Sequence, residues 1–389
     1  MSVIVTNARN RIAYNVVRSL GQKGIKVYTA DFVPRSMSFS SRYSTGHFLY
    51  PSPFREQEAF IDRLIENIKR VKAQALIPVY EETFLISKYK STLEKHVKMA
   101  VPDYDKILTA HNKDKWSAVA LDLGIPVPRS YTIAEAKADA CALKYPVLLK
   151  PRQGGGGWAI TQANSPDELL RLLEGNDIAG TRHERFFAQE KITGEVHCVA
   201  MLMSRGRYRA KVAYKQLRDY PVKGGQATLR ISLRSEKAEE NLQELLEHLQ
   251  WHGVCQADFV VDAKTGTPYL IDLNPRFWGS LAQAIASGVD FPYLYYKLIM
   301  DGDVKAVEGF KTGVVTRWLG GDIRAFFPHL MASKSKLGFL KDFFFPSRRA
   351  TYYDDFSLAD PLPFFTWTSD MLIRSLTGAG HEGLDGVWE

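Results

Sequence analysis

The chain has 389 residues, 45% hydrophobic and 24% charged, at 44.0 kDa with a mean hydropathy of −0.21. That length suits two or three packed domains, and the composition excludes a largely disordered chain. No apolar run approaches the roughly 20 residues of a membrane-spanning helix. A formal charge of +8 favours anionic partners without selecting among nucleotides, nucleic acid, acidic substrates and membrane surface. Three widely spaced cysteines, Cys141, Cys198 and Cys255, form no disulfide framework or metal motif. With no basic stretch ahead of the apolar residues at the N-terminus, a secretory leader is not expected and a cytoplasmic location is.

Residues 1–105 alternate strand and helix. Val3 to Val5, Lys26 to Ala30 and Ala75 to Val79 read as short buried strands. Ile12 to Leu20, and the run from Phe60 to Val71, have helical spacing. This alternation predicts a parallel α/β sheet. The first turn, Thr6 to Asn10, contains no glycine, so the dinucleotide fingerprint GxGxxG is absent from a Rossmann-like domain.

Residues 106–188 open with a helix from Lys115 to Leu123, followed by an apolar strand from Tyr145 to Pro151 that carries Lys150. Gly154, Gly155, Gly156 and Gly157 come directly after it. Backbone amides of such a loop can close over phosphate oxygens, with Lys150 as a point charge beside them; a flexible surface turn is the alternative. Residues 189–305 read as antiparallel. Strands from Glu195 to Met203 and from Tyr208 to Gln216 precede a helix from Glu236 to Trp251 and a hairpin of Val254 to Val261 with Tyr269 to Leu273.

Asp272 and Asn274, two apart on a strand, project to one face, and Asp258 lies mid-strand on the hairpin partner among apolar residues. Carboxylates in such surroundings are costly unless a cation or a hydrogen bond satisfies them. Two carboxylates and an amide oxygen suit Mg²⁺ bridging substrate phosphates, with Mn²⁺ as an alternative. Arg276 follows on the same side. Solvent-facing polar residues on a hairpin are the other reading.

Between these lies Gln189-Glu190-Lys191-Ile192-Thr193-Gly194-Glu195. A strand lysine with a glycine-rich loop, then Glu-Lys-Ile-x-Gly-Glu, then Asp…Asp-Leu-Asn-Pro-Arg resembles the ATP-grasp superfamily, specifically its carboxylate–amine ligases, over residues from about 106 to 300. The resemblance implies an N-terminal Rossmann-like parallel sheet domain (1–105) and a two-part ATP-grasp fold. The latter divides into a lid (106–188) and a catalytic core (189–305), before an aromatic-rich C-terminal extension (306–389). It implies that Lys115 and Lys150 bind the phosphates of ATP, that Gly154 to Gly157 fold over them, that Glu190, Lys191 and Ile192 contact adenine and that Glu195 holds ribose. Asp258, Asp272 and Asn274 stand at its Mg²⁺ positions, and Arg276 and Lys150 at its catalytic ones. Asp272 departs from the more usual glutamate by one methylene, which puts bidentate bridging of two metal ions in question.

The implied chemistry is attack of a small carboxylate on the γ-phosphate of ATP, giving an acyl-phosphate that an amine displaces, with release of ADP and phosphate. In related ligases the segment from Tyr214 to Gln226 borders the acceptor pocket, so Lys215, Arg218 and Arg230 are candidates to hold the substrate carboxylate; an exposed basic strand is the alternative. Glu81 and Glu82 follow a strand end where ligand-facing loops emerge. They are candidates to hold a substrate ammonium, against a simple helix-start role. The histidines show no metal-ligand spacing. Other readings are an ATP-grasp enzyme of carbamoyl-phosphate or kinase type, and a non-catalytic nucleotide-binding protein with a basic tail. From Phe326 to Trp367, 12 of 42 positions are aromatic, interleaved with lysine and arginine. Packing of this tail against the core is preferred to membrane-surface docking, since prolines break any amphipathic period. No specific nucleic-acid partner is expected, and a homodimer is a fold-level analogy.

Overall fold

The computed structural model describes residues 1–152, 160–174, 186–222, 224–344 and 352–377. Among them the strands make three sheets. The first is parallel, ordered β3-β2-β1-β4, with β1 at Ser2–Val5, β2 at Lys26–Asp31, β3 at Ser44–Leu49 and β4 at Ala75–Ile77. Both faces are covered. Val3 and Val5 pack against Ile12, Val16 and Leu20 of helix Arg11–Gly21, while Ile4 and Leu76 meet Phe60, Leu64 and Ile68 of helix Gln57–Val71. The period-2 alternation of a strand sends neighbouring residues to opposite helices, as a buried parallel sheet requires. The glycine-free first turn bends at Asn7, which takes φ 55°, a conformation asparagine tolerates. Asn10 then caps the helix, its Oδ1 accepting from Ile12 N at 3.1 Å.

The second sheet is antiparallel, ordered β5-β8-β6-β7, with β5 at Ser130–Thr132, β6 at Val147–Pro151, β7 at Thr161–Ala163 and β8 at Phe186–Glu190. Its apolar cluster runs from Ile133 to Ala188. The stretch before it belongs elsewhere. Helix Lys113–Asp122 buries Trp116 and Ala120 among Met201, Leu245 and Phe259, so Ile107 to Ile125, within the expected lid of 106–188, pack with the third sheet's cluster.

The third sheet is ordered β13-β12-β9-β10-β11-β14-β15. It contains β9 at Gly194–Ser204, β10 at Arg207–Tyr220, β11 at Gln226–Ser232, β12 at Gly253–Asp262, β13 at Pro268–Asn274, β14 at Val315–Arg317 and β15 at Tyr352–Tyr353. The last two come from the C-terminal segment, which extends the core sheet instead of hanging from it. The expected burial of the aromatics from Phe326 to Trp367 holds for Phe343, whereas Phe327, Phe344 and Phe365 are 70%, 62% and 59% exposed. No helix among the described residues is long and apolar enough to cross a membrane.

Candidate active site

The β12–β13 ladder sets Asp258 directly opposite Asp272 and Gln256 directly opposite Asn274. Positions two apart share a face, so four polar side chains line one side of the hairpin while Ala257, Phe259 and Leu273 point into the core behind it. Gln256 Nε2 donates to Asp258 Oδ1 at 2.7 Å, and Asn274 Nδ2 donates to Gln256 Oε1 at 2.9 Å. That chain of bonds leaves Asn274 Oδ1 without a donor among the described residues. Burial, then the charge of Asp272, push the Asp258 carboxyl up to about 6. Gln256 belongs to this cluster although no motif marks it.

Two lysines face these carboxylates. Lys150, near the end of β6, is buried and donates to Gln189 Oε1 at 2.7 Å. Burial, reinforced by Lys113, lowers it to about 8. Lys113 Nζ stands 3.7 Å from Asp272 Oδ1. Lys115, the lysine expected at this place, is exposed on the same helix. Lys113, which no sequence pattern singled out, is thus the lysine of this helix that stands beside the carboxylates. Lys113 and Lys115 share the first turn of the helix, so only their helix phase separates them. Gly154 to Gly157 lie outside the described residues.

Arg276, just past β13, donates from Nε to Glu81 Oε1 at 2.8 Å and lies over Tyr80 at 4.5 Å. Burial alone would weaken its charge, but Glu81, Tyr80 and Asp272 outweigh it and hold the guanidinium above its ordinary range. Glu81 thus ties the loop after β4 to the end of β13. Glu82 does something else. Fully buried, it accepts from Thr6 Oγ1 at 2.5 Å, Asn7 Nδ2 at 3.2 Å and Val79 N at 3.0 Å, so both of its oxygens already have protein donors.

At the other end of β8, Glu190 accepts from the Tyr131 hydroxyl at 3.3 Å, and Lys191 donates to Gln162 at 2.7 Å. Ile192 sits half-buried between β8 and β9. Glu195 is exposed and pairs with Lys215 at 2.9 Å, whose hydrogen bond holds its carboxyl below the usual range. His197 Nε2 is 3.5 Å from the same carboxylate, placing a histidine beside the expected ribose position.

The three cations assigned to a substrate carboxylate have protein partners. Lys215 is taken by Glu195. Arg218 forks onto Asp322, with Nε at 2.9 Å and Nη2 at 2.7 Å. Arg230 is fully buried and bonded to Asp354 Oδ1 and to Ala227 O. Arg218 and Arg230, expected at the acceptor pocket, have their charges paired with two buried carboxylates of the C-terminal segment.

Residues 110–280 match the model of the ATP-grasp domain. This part of the chain is an ATP-grasp domain. The second sheet and the polar hairpin face lie within it. Yeast urea amidolyase (Saccharomyces cerevisiae) is 25% identical over 300 residues, 71% of this chain, and the chain spans 16% of that protein's length. The biotin carboxylase domain of Hydrogenobacter thermophilus 2-oxoglutarate carboxylase, solved as a dimer with MgADP, ADP and bicarbonate, superimposes with a TM-score of 0.63 at 18% identity, covering 80% of this chain and 73% of that one. The L-amino acid ligase of Bacillus licheniformis gives 0.60 at 16% identity, covering 77% and 73%. These structures share the fold over 80% and 77% of the chain.

Proposed function

We propose that this chain is an ATP-dependent carboxylate–amine ligase that activates a small carboxylate as an acyl-phosphate and passes it to an amine, releasing ADP and phosphate. The observation that carries the reading is the convergence of Asp258, Asp272, Asn274, Lys113 and Lys150 on one polar face of an ATP-grasp domain, with Arg276 at its edge. The donor set fits Mg²⁺: two carboxylates opposite one another, and an amide oxygen left without a protein donor, are hard ligands whose mutual repulsion a divalent cation relieves. Bound there, Mg²⁺ would neutralise phosphate charge and hold ATP for in-line transfer.

The chain's own groups supply the rest. Lys113 and Lys150 place two cations where phosphate oxygens gather charge. A pKa of about 8 keeps Lys150 mostly charged at neutral pH, and an arriving polyanion favours the charged form further. Arg276, fixed by Glu81, offers its remaining guanidinium edge to the carboxylate or the transferring phosphoryl group. Glu190, Lys191 and Ile192 would border the adenine and Glu195 the ribose, with Lys215 and His197 orienting that carboxylate. An acyl-phosphate hydrolyses readily, so Gly154 to Gly157 are proposed as the loop that excludes water.

The test is ADP and phosphate release from ATP and Mg²⁺ across a panel of amino acids and amines, with mass spectrometry of the products. Release that requires both an acid and an amine, with a condensed product, supports the ligase. Release with bicarbonate or with an acid alone favours the carbamoyl-phosphate or kinase type, and nucleotide binding with no release under any pair refutes the enzyme.

A further inference from the structure

Two small cavities share Arg9, Asn10 and Arg11 as walls at the turn between β1 and helix Arg11–Gly21. One, of about 200 Å³, is walled by Asn7, Arg9 and Arg11 of that turn together with Tyr80 and Arg276. The other, of about 190 Å³, shares Arg9 and Arg11 and adds Met37, Asp355, Trp318 and Trp367, the last three from the C-terminal segment. Each is below the size of a pocket for a drug-sized ligand, which suits an amino acid and not a peptide or a second nucleotide.

The polar end is chemically unfinished. Asn7 is 2% exposed, and its Nδ2 donates to Glu82 while its Oδ1 is buried without a partner. Arg9 donates from Nη1 to Asp31 at 3.3 Å and lies over Phe32, while its Nη2 is likewise buried without a partner. An unfilled acceptor and an unfilled cationic donor bordering one cavity are expensive to keep dry. A ligand with an ammonium beside a carboxylate satisfies both. Arg11 is different: its Nε donates to Gly279 O and its Nη2 to Gln226 Oε1, each at 3.0 Å, which holds it as a wall. Its guanidinium lies 3.7 Å over the ring of Trp318, and Trp318 meets Trp367 edge-on at 6.4 Å. The second cavity therefore has an aromatic lining.

We infer that these joined cavities hold one α-amino acid with an aromatic or large apolar side chain. Its carboxylate lies between Arg9 and Arg276, its ammonium on Asn7 Oδ1 and its side chain against Trp318 and Trp367. The C-terminal segment is then a specificity element built into the site. That this amino acid is the acid to be activated rests on the ligase reading; its binding does not.

The experiment is calorimetric titration of the full chain with L-phenylalanine, L-alanine, 3-phenylpropionate and phenethylamine, with and without ATP. L-Phenylalanine should bind about tenfold or more tighter than each of the others. Arg9→Met should weaken both amino acids about tenfold. Trp367→Leu should weaken L-phenylalanine about fivefold and L-alanine less than twofold, with ATP affinity unchanged in both variants. Equal binding of L-phenylalanine and 3-phenylpropionate, no binding of L-phenylalanine, or indifference to Trp367→Leu each overturns the inference. If the variants do not fold, tryptophan fluorescence of the unaltered chain decides: it should change with L-leucine and stay constant with acetate, and the reverse overturns it. Amino-acid binding with no ADP release under any amine would leave this site standing and refute the ligase. ADP release driven by an acid without an ammonium, and insensitive to Arg9→Met, would do the opposite.

Discussion

Asp258 and Asp272 stand directly opposite each other across the β12–β13 ladder, and burial with this like-charge neighbour pushes the Asp258 carboxyl up to about 6. A group whose folded pKa lies above its unfolded value of 3.8 contributes stability below that unfolded value, and loses it as pH rises through about 6. Asp258→Asn mimics the protonated form. In the absence of Mg²⁺ it should raise Tm at pH 7.5 by about 2–4 °C for each kcal/mol of relieved repulsion, with no advantage below about pH 4. Adding Mg²⁺ should stabilise the unaltered chain and not the variant. Thermal melts across pH, with and without the metal, check this, and the variant should also lose Mg²⁺-dependent turnover.

Lys113 and Lys115 are two residues apart on one helix and have different surroundings. Lys113→Ala removes a cation 3.7 Å from Asp272 and should weaken ATP binding about 10- to 100-fold, as expected for a lost charge-assisted bond. Lys115→Ala should change it less than twofold. The comparison is direct because both substitutions favour the helix. Calorimetric titration of ATP measures both, and an effect confined to Lys115→Ala would restore the assignment first drawn from sequence.

Lys150 is lowered to about 8 by burial and then by Lys113. Its charge, present at pH 7, is lost as pH rises through that value. ATP affinity should therefore fall between pH 7 and pH 9.5. Removing the Lys113 charge should move the midpoint of that fall upward. Titrations at a series of pH values, on the unaltered chain and on Lys113→Ala, check both the direction and the coupling.

Much of this site was legible in the sequence because its parts are local. Asp272 and Asn274 face one way because a strand alternates, and the hairpin that brings Asp258 to Asp272 is closed by a short turn. Lys150 could be read as a charge at a strand end because the apolar run Val147-Leu148-Leu149 directly precedes it. What was not legible depended on partners far along the chain. Arg218 and Arg230 look like free basic residues until Asp322 and Asp354, 104 and 124 positions later, arrive to claim them. Lys113 and Lys115 differ only in helix phase, which no single-residue pattern sets. Nothing in the C-terminal segment announces that Trp318 and Trp367 border a cavity of the first domain.

Arg230 and Asp354, both fully buried, form an ion pair that fastens β11 to the C-terminal segment, with Arg11 3.5 Å from the same carboxylate. Removing one partner of such a pair strands the other charge. Arg230→Ala should cost about 3–5 kcal/mol, whereas Arg230→Met with Asp354→Leu should recover most of it. Denaturant unfolding measures both. The double variant should keep its ATP affinity, since neither side chain borders the phosphate site.

Glu81 and Glu82 are adjacent acids with separate consequences. Glu81→Gln keeps the size of the side chain and removes the charge that holds Arg276 at 2.8 Å. Arg276 then loses its orientation toward the reacting groups, so kcat should fall about tenfold or more while ATP affinity stays within twofold and the fold is intact. Glu82→Gln instead exchanges two acceptor oxygens for one. That leaves a donor among Thr6, Asn7, Val79 and Tyr80 facing another donor, at a cost of about 1–3 kcal/mol, read as a lower Tm with kcat nearly preserved. Steady-state kinetics and thermal melts on the two variants separate these outcomes. A stability loss in Glu81→Gln with kcat unchanged would make the Glu81–Arg276 pair a domain fastening and remove its positioning role.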